Sequence, residues 1–151
     1  MDDGYTIAQL EDGDFAVLQT LNTVFAEAFE DPETYLGNKP DEEYLESFLQ
    51  NKSHIVLAAQ KDSEVVGGLV AYVLHKFEQR RSEVYLYDLA VALPHRRKGI
   101  ATGLITALKD AAKERGAYLI YVQADKGDDA AIHLYESLGT ASEVIHFDIN
   151  L

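Results

Sequence analysis

The segment at residues 87–102 combines an apolar strand, a basic loop and the start of a helix. It reads Tyr-Asp-Leu-Ala-Val-Ala-Leu-Pro-His-Arg-Arg-Lys-Gly-Ile-Ala-Thr. The first turn of a helix carries unpaired N–H groups and the positive end of the helix dipole, so it attracts anions. Gly99 lets the backbone approach a ligand closely, and three basic residues precede it. The pattern predicts a pyrophosphate-binding loop. Its predicted contacts are Arg96, Arg97, Lys98, Gly99, Ile100, Ala101 and Thr102.

This loop differs from the two commonest nucleotide-binding motifs. The Lys-Ser/Thr pair of a Walker loop is missing, and so are the three glycines of the dinucleotide fingerprint. Residues 96–101 instead resemble Arg/Gln-x-x-Gly-x-Gly/Ala, the pyrophosphate loop of the GNAT N-acetyltransferases. The resemblance implies that the chain binds acetyl-CoA, with coenzyme A as a product. A solvated basic turn is the competing interpretation.

A second segment, residues 131–139, reads Ala-Ile-His-Leu-Tyr-Glu-Ser-Leu-Gly. It resembles the Ala-Ile-x-Leu-Tyr-x-x-Leu-Gly helix of the same superfamily, in which the tyrosine lies near the cofactor sulfur. The resemblance therefore gives Tyr135 both a cofactor-binding and a catalytic role. A core tyrosine is the alternative. The chain departs from the family at Asp128, where asparagine is common, and this puts a secondary cofactor contact in doubt.

The hydrophobic pattern predicts how these segments are positioned. Short apolar runs alternate with helical spacing, which favours an α/β protein with a mixed sheet and flanking helices. We expect one GNAT domain over residues 1–151 with the element order β-α-α-β-β-β-α-β-α-β. Helices are predicted to start at 12–14, at 41, after 99 and at 129. Strands are predicted at 6–10, 55–59, 65–77, 84–91, 118–122 and 144–149.

A closer resemblance covers most of the chain. Residues 71–79, 81–91, 116–118, 120–125, 127–129 and 146–149 resemble the type I aminoglycoside 3-N-acetyltransferases, and residues 25–35 do so more loosely. The resemblance implies acetyl transfer to the 3-amine of the 2-deoxystreptamine ring of gentamicin-class antibiotics, and hence antibiotic resistance. It also implies a homodimer, because many members of the superfamily are dimers.

The charge of the chain fits a cationic amine substrate. The formal net charge is −13, with 26 acidic and 13 basic residues. Carboxylates form charge-assisted hydrogen bonds with ammonium groups, of which aminoglycosides carry several. Helix capping by Asp129 and a solvated helix end at residues 27–31 are the competing interpretations. The predicted substrate contacts are Glu27, Glu30, Asp31, Tyr85, Asp125, Asp128 and Asp129.

The predicted proton acceptor is Asp88. An amine is mostly protonated at neutral pH and cannot attack a thioester until it loses a proton. An acid within an apolar strand is costly to bury, which suggests a purpose, whether catalytic or structural. Glu83 is the second candidate and could act through water. Side-chain alternation places Glu83 and Tyr85 on one face of the strand and Asp88 on the other unless a bulge intervenes.

The remaining roles follow from the resemblance. A backbone N–H of Leu89 or Ala90 would stabilise the charge on the thioester oxygen, and Val91 would pair with the pantetheine arm. Tyr135 would donate a proton to the departing thiolate. The chain has no cysteine, so direct transfer in a ternary complex is favoured over a covalent acyl-enzyme.

Composition excludes several other classes of function. The acidic surface repels nucleic acid, residues 1–4 lack the basic and apolar character of a secretory signal, and no apolar run is long enough to cross a membrane. We therefore expect a cytoplasmic protein. The five histidines are not spaced as metal ligands, so no metal site is predicted. Two alternatives stay open: a GNAT acting on a polyamine, amino sugar or protein amine, and a non-catalytic acyl-CoA-binding regulatory module.

Overall fold

The structure, a computed structural model, describes residues 4–151, and within that range one five-stranded sheet organises the chain. Strands that follow one another in sequence are also neighbours in space. The first four pair antiparallel, and the fifth is parallel to the fourth. The strands are β1 (Thr6–Gln9), β2 (His54–Lys61), β3 (Glu64–His75), β4 (Ser82–Val91) and β5 (Ala117–Val122).

Helices cover both faces of this sheet. The helices are α1 (Phe15–Ala28), α2 (Pro32–Leu36), α3 (Glu42–Gln50), α4 (Ile100–Glu114) and α5 (Asp129–Glu136), with a 3₁₀ turn at Leu93–His95. One core lies between the sheet and α4, where Leu104 and Leu108 are fully buried. The other lies between the sheet and α1 with α3, around Leu21 and Phe25. We call these the α4 face and the α1 face of the sheet.

Close packing of α1 on the sheet depends on Gly68 in β3. A Cβ at this position would lie 2.6 Å from the carbonyl oxygen of Leu57 and 2.7 Å from a methyl carbon of Leu21. Both distances are shorter than real Cβ contacts, so a larger residue would push α1 away from the sheet.

The predicted α/β class with a mixed sheet and flanking helices is confirmed, and the order of elements differs at two places. The predicted order has no helix between α1 and α3, but Pro32 begins the short helix α2, since the first position of a helix needs no N–H. The strand predicted at 144–149 is not formed: residues 140–151 are exposed and unpaired. A strand needs a partner for its backbone groups, and this segment contacts none.

A smaller correction concerns the start of α5. Asp129 was the expected cap, but Asp128 caps the helix through the backbone N–H of Ala131, at 3.3 Å. Among residues 4–151, no helix is long and apolar enough to cross a bilayer.

Candidate active site

The loop before α4 presents an open helix start. Gly99 is the residue before the helix and has φ +79°, a left-handed conformation that favours glycine. No side chain caps this end, and a Cβ at Gly99 would meet nothing within 4 Å. Arg97 is also left-handed, with φ +62°. The N–H groups of the first turn therefore lie beside open space, as an anion site requires.

Contacts with the sheet hold this loop in place. The Nε of Arg96 donates to the carbonyl oxygen of Val91 at 2.9 Å, so this predicted cofactor residue also ties the loop to the end of β4. The Nδ1 of His95 lies 3.0 Å from the hydroxyl of Tyr5, a buried residue just before β1. The Lys98 ammonium lies 5.9 Å from the centre of the Tyr5 ring. The loop is thus anchored at both the end of β4 and the start of the chain.

A β-bulge in β4 decides which way the acids and tyrosines point. The β3–β4 register pairs Val70 with Asp88 and Ala71 with Leu86, so Tyr87 is the extra residue. Leu86 packs on the α4 face before the bulge, and Ala90 packs on the α1 face after it. The bulge therefore brings Asp88 to the α1 face, which already carries Tyr85 and Tyr87. The bulge that the prediction required is present.

An opening lies beside the second half of β4. Pairing of β4 with β5 ends at Leu86 and Val122, so residues 87–91 have no neighbour on that side. The N–H of Ala92 donates to Val66 in β3 at 2.8 Å. Because N–H groups alternate in direction along a strand, those of Leu89 and Val91 point away from β3 and into the opening. Ala90, the alternative donor, points back towards β3.

Asp88 lies on the α1 face of the opening, half-buried. The Tyr35 hydroxyl of α2 donates a hydrogen bond to its Oδ1 at 2.6 Å. Burial raises the pKa of Asp88 above its usual range, and the Tyr35 hydrogen bond lowers it in part. Burial and the Asp88 carboxylate raise the pKa of Tyr35, so this phenol stays protonated. The raised pKa makes Asp88 a stronger proton acceptor than an exposed carboxylate.

Tyr135 lies on the other face, where α5 packs against the core that contains α4. Its side chain is half-buried. Burial raises its pKa, with a further contribution from the charge of Asp128, so it remains a proton donor at neutral pH. A carboxylate and a phenol thus lie on opposite faces of the sheet, beside the gap between β4 and β5.

Glu83 lies well away from this pair. It is five residues before Asp88, a distance of about 16 Å along a strand at roughly 3.3 Å per residue. Its carboxylate accepts a hydrogen bond from the Tyr118 hydroxyl, and the Arg81 guanidinium lies 4.0 Å from the centre of the Tyr118 ring. The structure therefore brings Asp88, but not Glu83, to the opening.

A row of four tyrosines lies next to Asp88. Tyr85 stacks on Tyr121 with ring centres 4.5 Å apart, and its hydroxyl donates to Gln123 at 2.8 Å. Tyr87 lies edge-on to Tyr72 at 5.8 Å and beside Tyr85 at 5.3 Å. Tyr87 is 61% exposed. We call Tyr72, Tyr85, Tyr87 and Tyr121 the tyrosine row.

The predicted substrate acids fall into two groups, in which every residue but the partly buried Asp31 is exposed. In the first, Asp31 caps α2 through the N–H of Thr34 at 3.2 Å, and its charge raises the pKa of Tyr35. Glu27 lies in the last turn of α1, and Glu30 has left-handed backbone with φ +52°. Asp31 is thus brought near Asp88 through Tyr35.

The second group precedes α5. Asp128 is the helix cap and influences Tyr135, and Asp129 is the first residue of the helix. The carbonyl oxygen of Asp125 accepts from the Asp128 N–H at 3.1 Å. No group of three or more His, Asp or Glu side chains is placed to hold a metal ion in the described part of the chain.

Comparison with known proteins agrees with this geometry. Residues 18–140 match the acetyltransferase (GNAT) family. The chain belongs to the GNAT family. GNAT acetyltransferases use acetyl-CoA, and the open first turn of α4 with Gly99 beside it fits the pyrophosphate of that molecule.

Several solved structures are similar to this GNAT protein over almost all of its length. A crystal structure of an aminoglycoside acetyltransferase from an uncultured soil metagenomic sample is 51% identical, covers 97% of this chain and 98% of its own, and has a TM-score of 0.95. A second soil enzyme, in complex with sisomicin, is 33% identical, with 99% and 98% covered and a TM-score of 0.92. An uncharacterized N-acetyltransferase of Bacillus subtilis is 26% identical over 147 residues, which are 96% of this chain and 97% of that protein.

Sequence reasoning missed three residues of this site. Tyr35 was only part of a loosely similar segment, and Tyr72 and Tyr121 carried no prediction. All three reach the site from elements distant in sequence from Asp88 and Tyr85. The signal available was the abundance of tyrosine, nine in 151 residues, most of it on or beside the predicted strands.

Proposed function

We propose that this GNAT protein transfers the acetyl group of acetyl-CoA to an amine of an aminoglycoside. The observation that carries the proposal is the gap between β4 and β5, which has the Asp88 carboxylate on one face and the Tyr135 phenol on the other. An amine can approach the gap from the α1 face. The thioester, with its pyrophosphate at α4, can reach it from the α4 face.

Acetyl-CoA supplies the acetyl group as an activated thioester. Asp88 accepts a proton from the substrate ammonium, directly or through water, and leaves a neutral amine that can form the new C–N bond. The Leu89 N–H, which points into the gap, donates to the carbonyl oxygen as negative charge develops there. Val91 offers its N–H to the pantetheine arm. Tyr135 gives its proton to the sulfur as the C–S bond breaks. The new amide nitrogen loses its second proton to solvent, and Tyr135 regains a proton from solvent.

The phosphate-binding part of the proposal uses residues 96–102. The N–H groups at the start of α4 surround the pyrophosphate, and Ala101 keeps the approach free of bulk. Arg96, Arg97 and Lys98 add positive charge to a protein that otherwise repels a polyanion. Transfer takes place directly between two bound substrates.

The α1 face supports a polycationic sugar as the acceptor. The tyrosine row offers flat aromatic surfaces, which attract ammonium groups and stack against sugar rings. Acids of residues 27–31 form one wall, and Asp125 with Asp129 forms the other. The 51% identity to an aminoglycoside acetyltransferase supports the same class of substrate. The proposed position of transfer, the 3-amine of 2-deoxystreptamine, rests on the resemblance of the segments given above, from residues 71–79 to residues 146–149.

Two other hypotheses remain distinct from this proposal, one with a different acceptor and one without catalysis. A polyamine, amino sugar or protein amine would also be attracted by the acidic surface. A regulatory module would bind acetyl-CoA without turnover, and the paired placement of Asp88 and Tyr135 argues against it. The proposed working form is a homodimer, which the exposed carboxy-terminal segment supports.

The test is release of free thiol from acetyl-CoA with gentamicin, kanamycin, spermidine and a lysine peptide in parallel. We expect rapid release with gentamicin and a product that NMR shows to be acetylated at the 3-amine. Acetylation at another amine of gentamicin would keep the substrate class and remove the 3-amine assignment. Release only with spermidine or the peptide would reject the aminoglycoside. Binding of acetyl-CoA without release would favour the regulatory module.

A further inference from the structure

The tyrosine row continues across the sheet beyond β3. Three of its members are cross-strand neighbours, since Tyr121 of β5 pairs with Tyr85 of β4, and Tyr85 pairs with Tyr72 of β3. The next partner along this line is His54, the first residue of β2. All four side chains lie on the α1 face, because the residue that follows each of them packs in the core on the α4 face. A line of aromatic side chains therefore crosses from β5 to β2.

Helix α3 encloses the far end of this line. The His54 ring stacks on Phe48 of α3, with ring centres 4.0 Å apart and 22° between the planes. Tyr72 lies edge-on to both rings, at 5.4 Å from His54 and 6.1 Å from Phe48. We call His54, Phe48 and Tyr72 the distal corner.

The imidazole of the distal corner is fixed in its tautomer as well as its position. The Nδ1 of His54 donates to the carbonyl oxygen of Phe48 at 2.9 Å. Because a carbonyl oxygen only accepts, the ring proton of the neutral imidazole lies on Nδ1, and Nε2 carries a lone pair. Within residues 4–151, Nε2 forms no hydrogen bond and is not closed off from solvent. This atom is therefore an open acceptor for a hydroxyl or an ammonium group.

The distal corner lies beyond the reach of a ring that is held at Asp88. His54 is two strands away from β4, so at about 4.8 Å per strand the two lie about 10 Å apart across the sheet. Tyr72 lies between them. Burial and the charge of Asp88 raise the pKa of Tyr72, which places its hydroxyl within the field of the proposed base. A single sugar ring cannot contact both Asp88 and His54, whereas an acceptor of two or three linked rings can.

We propose that the distal corner binds a sugar ring of the acceptor other than the ring that is acetylated. This second ring lies against Tyr72, and the Nε2 of His54 accepts a hydrogen bond from one of its hydroxyl or ammonium groups. The inference rests on the proposed transfer to an aminoglycoside and adds a requirement for linked rings. A linear polyamine offers ammonium groups but no ring face.

The experiment measures binding by calorimetry without acetyl-CoA, so that acetyl transfer does not enter. The two probes are kanamycin and 2-deoxystreptamine, the single ring to which kanamycin has two further sugars attached. His54→Asn keeps a donor for the Phe48 carbonyl and has no atom at the Nε2 position. It should raise the dissociation constant for kanamycin about 10-fold, the order of one hydrogen bond, and that for 2-deoxystreptamine much less. His54→Gln, which places a polar atom near the Nε2 position, should recover part of the affinity for kanamycin.

The matched control is His75→Asn, at an exposed histidine that ends β3. Val73 packs in the core on the α4 face, so His75, two residues on, lies on the face opposite His54. This variant should bind kanamycin as wild type does. Unchanged kanamycin affinity in His54→Asn, an equal loss for both probes, or the same loss in His75→Asn would each overturn the proposal.

A second pair of variants tests the distal corner without a change at His54. Tyr72→Phe keeps the ring and should bind kanamycin well, whereas Tyr72→Leu removes the ring and should bind it less tightly. Equal binding by the two variants would contradict the ring contact.

The wild type separates this inference from the proposed function. Acetyl transfer to kanamycin, with kanamycin bound no more tightly than 2-deoxystreptamine, would overturn the distal site and leave the proposed function standing. A wild type that neither binds nor acetylates kanamycin would reject the proposed function and the distal site together.

Discussion

The amino-terminal and carboxy-terminal parts of this molecule differ in how deeply their residues are buried. Every buried residue lies at or before Ala112, in the part built from β1–β4, α1, α3 and α4. The later part, with β5 and α5, has half-buried and exposed residues only. Burial of apolar surface is the main source of stability, so the first part should be more stable against local unfolding than the second.

The proposed active site draws on both parts. Asp88 and Tyr35 come from the first part, while Tyr135 comes from the second. The base is then held by well-buried elements, and the proton donor by a helix without a buried residue. Substitutions at these positions should separate the two contributions.

The largest effect is expected for Asp88→Asn. Loss of a general base typically costs about 10²–10⁴-fold in rate, so kcat should fall by that order while acetyl-CoA binding is kept. The thermal stability of Asp88→Asn, unlike its activity, should not fall. Burial raises the pKa of Asp88 in the folded state, so its ionisation opposes folding as the pH rises above the unfolded value. The variant should therefore have a Tm at pH 7 at least equal to that of wild type.

Glu83→Gln is the comparison for this variant. Glu83 pairs with Tyr118, far from the opening, so we expect a much smaller loss of kcat. A larger loss in Glu83→Gln than in Asp88→Asn would transfer the role of base to Glu83 acting through water.

Tyr135→Phe should lower kcat by about 100-fold, because only the proton to the leaving sulfur is lost. The dissociation constant for acetyl-CoA, measured by calorimetry, should change little. Tyr44→Phe, at a tyrosine 62% exposed on α3, is the control and should match wild type. Unchanged turnover in Tyr135→Phe would remove this residue from the mechanism.

Gly99→Ala should raise the KM for acetyl-CoA about 10-fold, the effect of roughly 1–2 kcal/mol for an L residue in left-handed backbone. Gly116→Ala is a matched control, since Gly116 has φ +73° and also has nothing within 4 Å of a Cβ. Gly116 lies just beyond the carboxy-terminal end of α4, away from the proposed pyrophosphate site. Both variants should lose similar stability in thermal melts, and only Gly99→Ala should affect KM. Equal KM values would show that the loop does not hold the cofactor.

The smallest effect is expected for Tyr35→Phe. Removing the hydrogen bond to the carboxylate should raise the pKa of Asp88 further, since that bond favours the charged form. The acidic limb of the kcat/KM profile should therefore move to higher pH. Activity well above the pKa should recover. A profile with an unchanged limb and uniformly lower rates would assign Tyr35 a packing role instead.

Local patterns in the sequence predicted much of this molecule. The strand, basic loop and helix start at residues 87–102 carry their own signals, namely an apolar run, Gly99 and helical spacing. The same is true of α3, which begins next to its capping residue Asp41. Such signals depend on residues a few positions apart, so a single sequence contains them.

The tertiary structure decided what distant residues do together. The sequence by itself determined an α/β GNAT domain, the loop before α4, and Asp88 and Tyr135 as candidates. It did not reveal that Tyr35 bonds to Asp88, that Tyr85 stacks on Tyr121, or that the bulge falls at Tyr87. The sequence also predicted a strand at 144–149, which the structure does not form because no other strand pairs with this segment. Pairing and stacking depend on register between segments that are far apart in the chain, and no local pattern encodes that register.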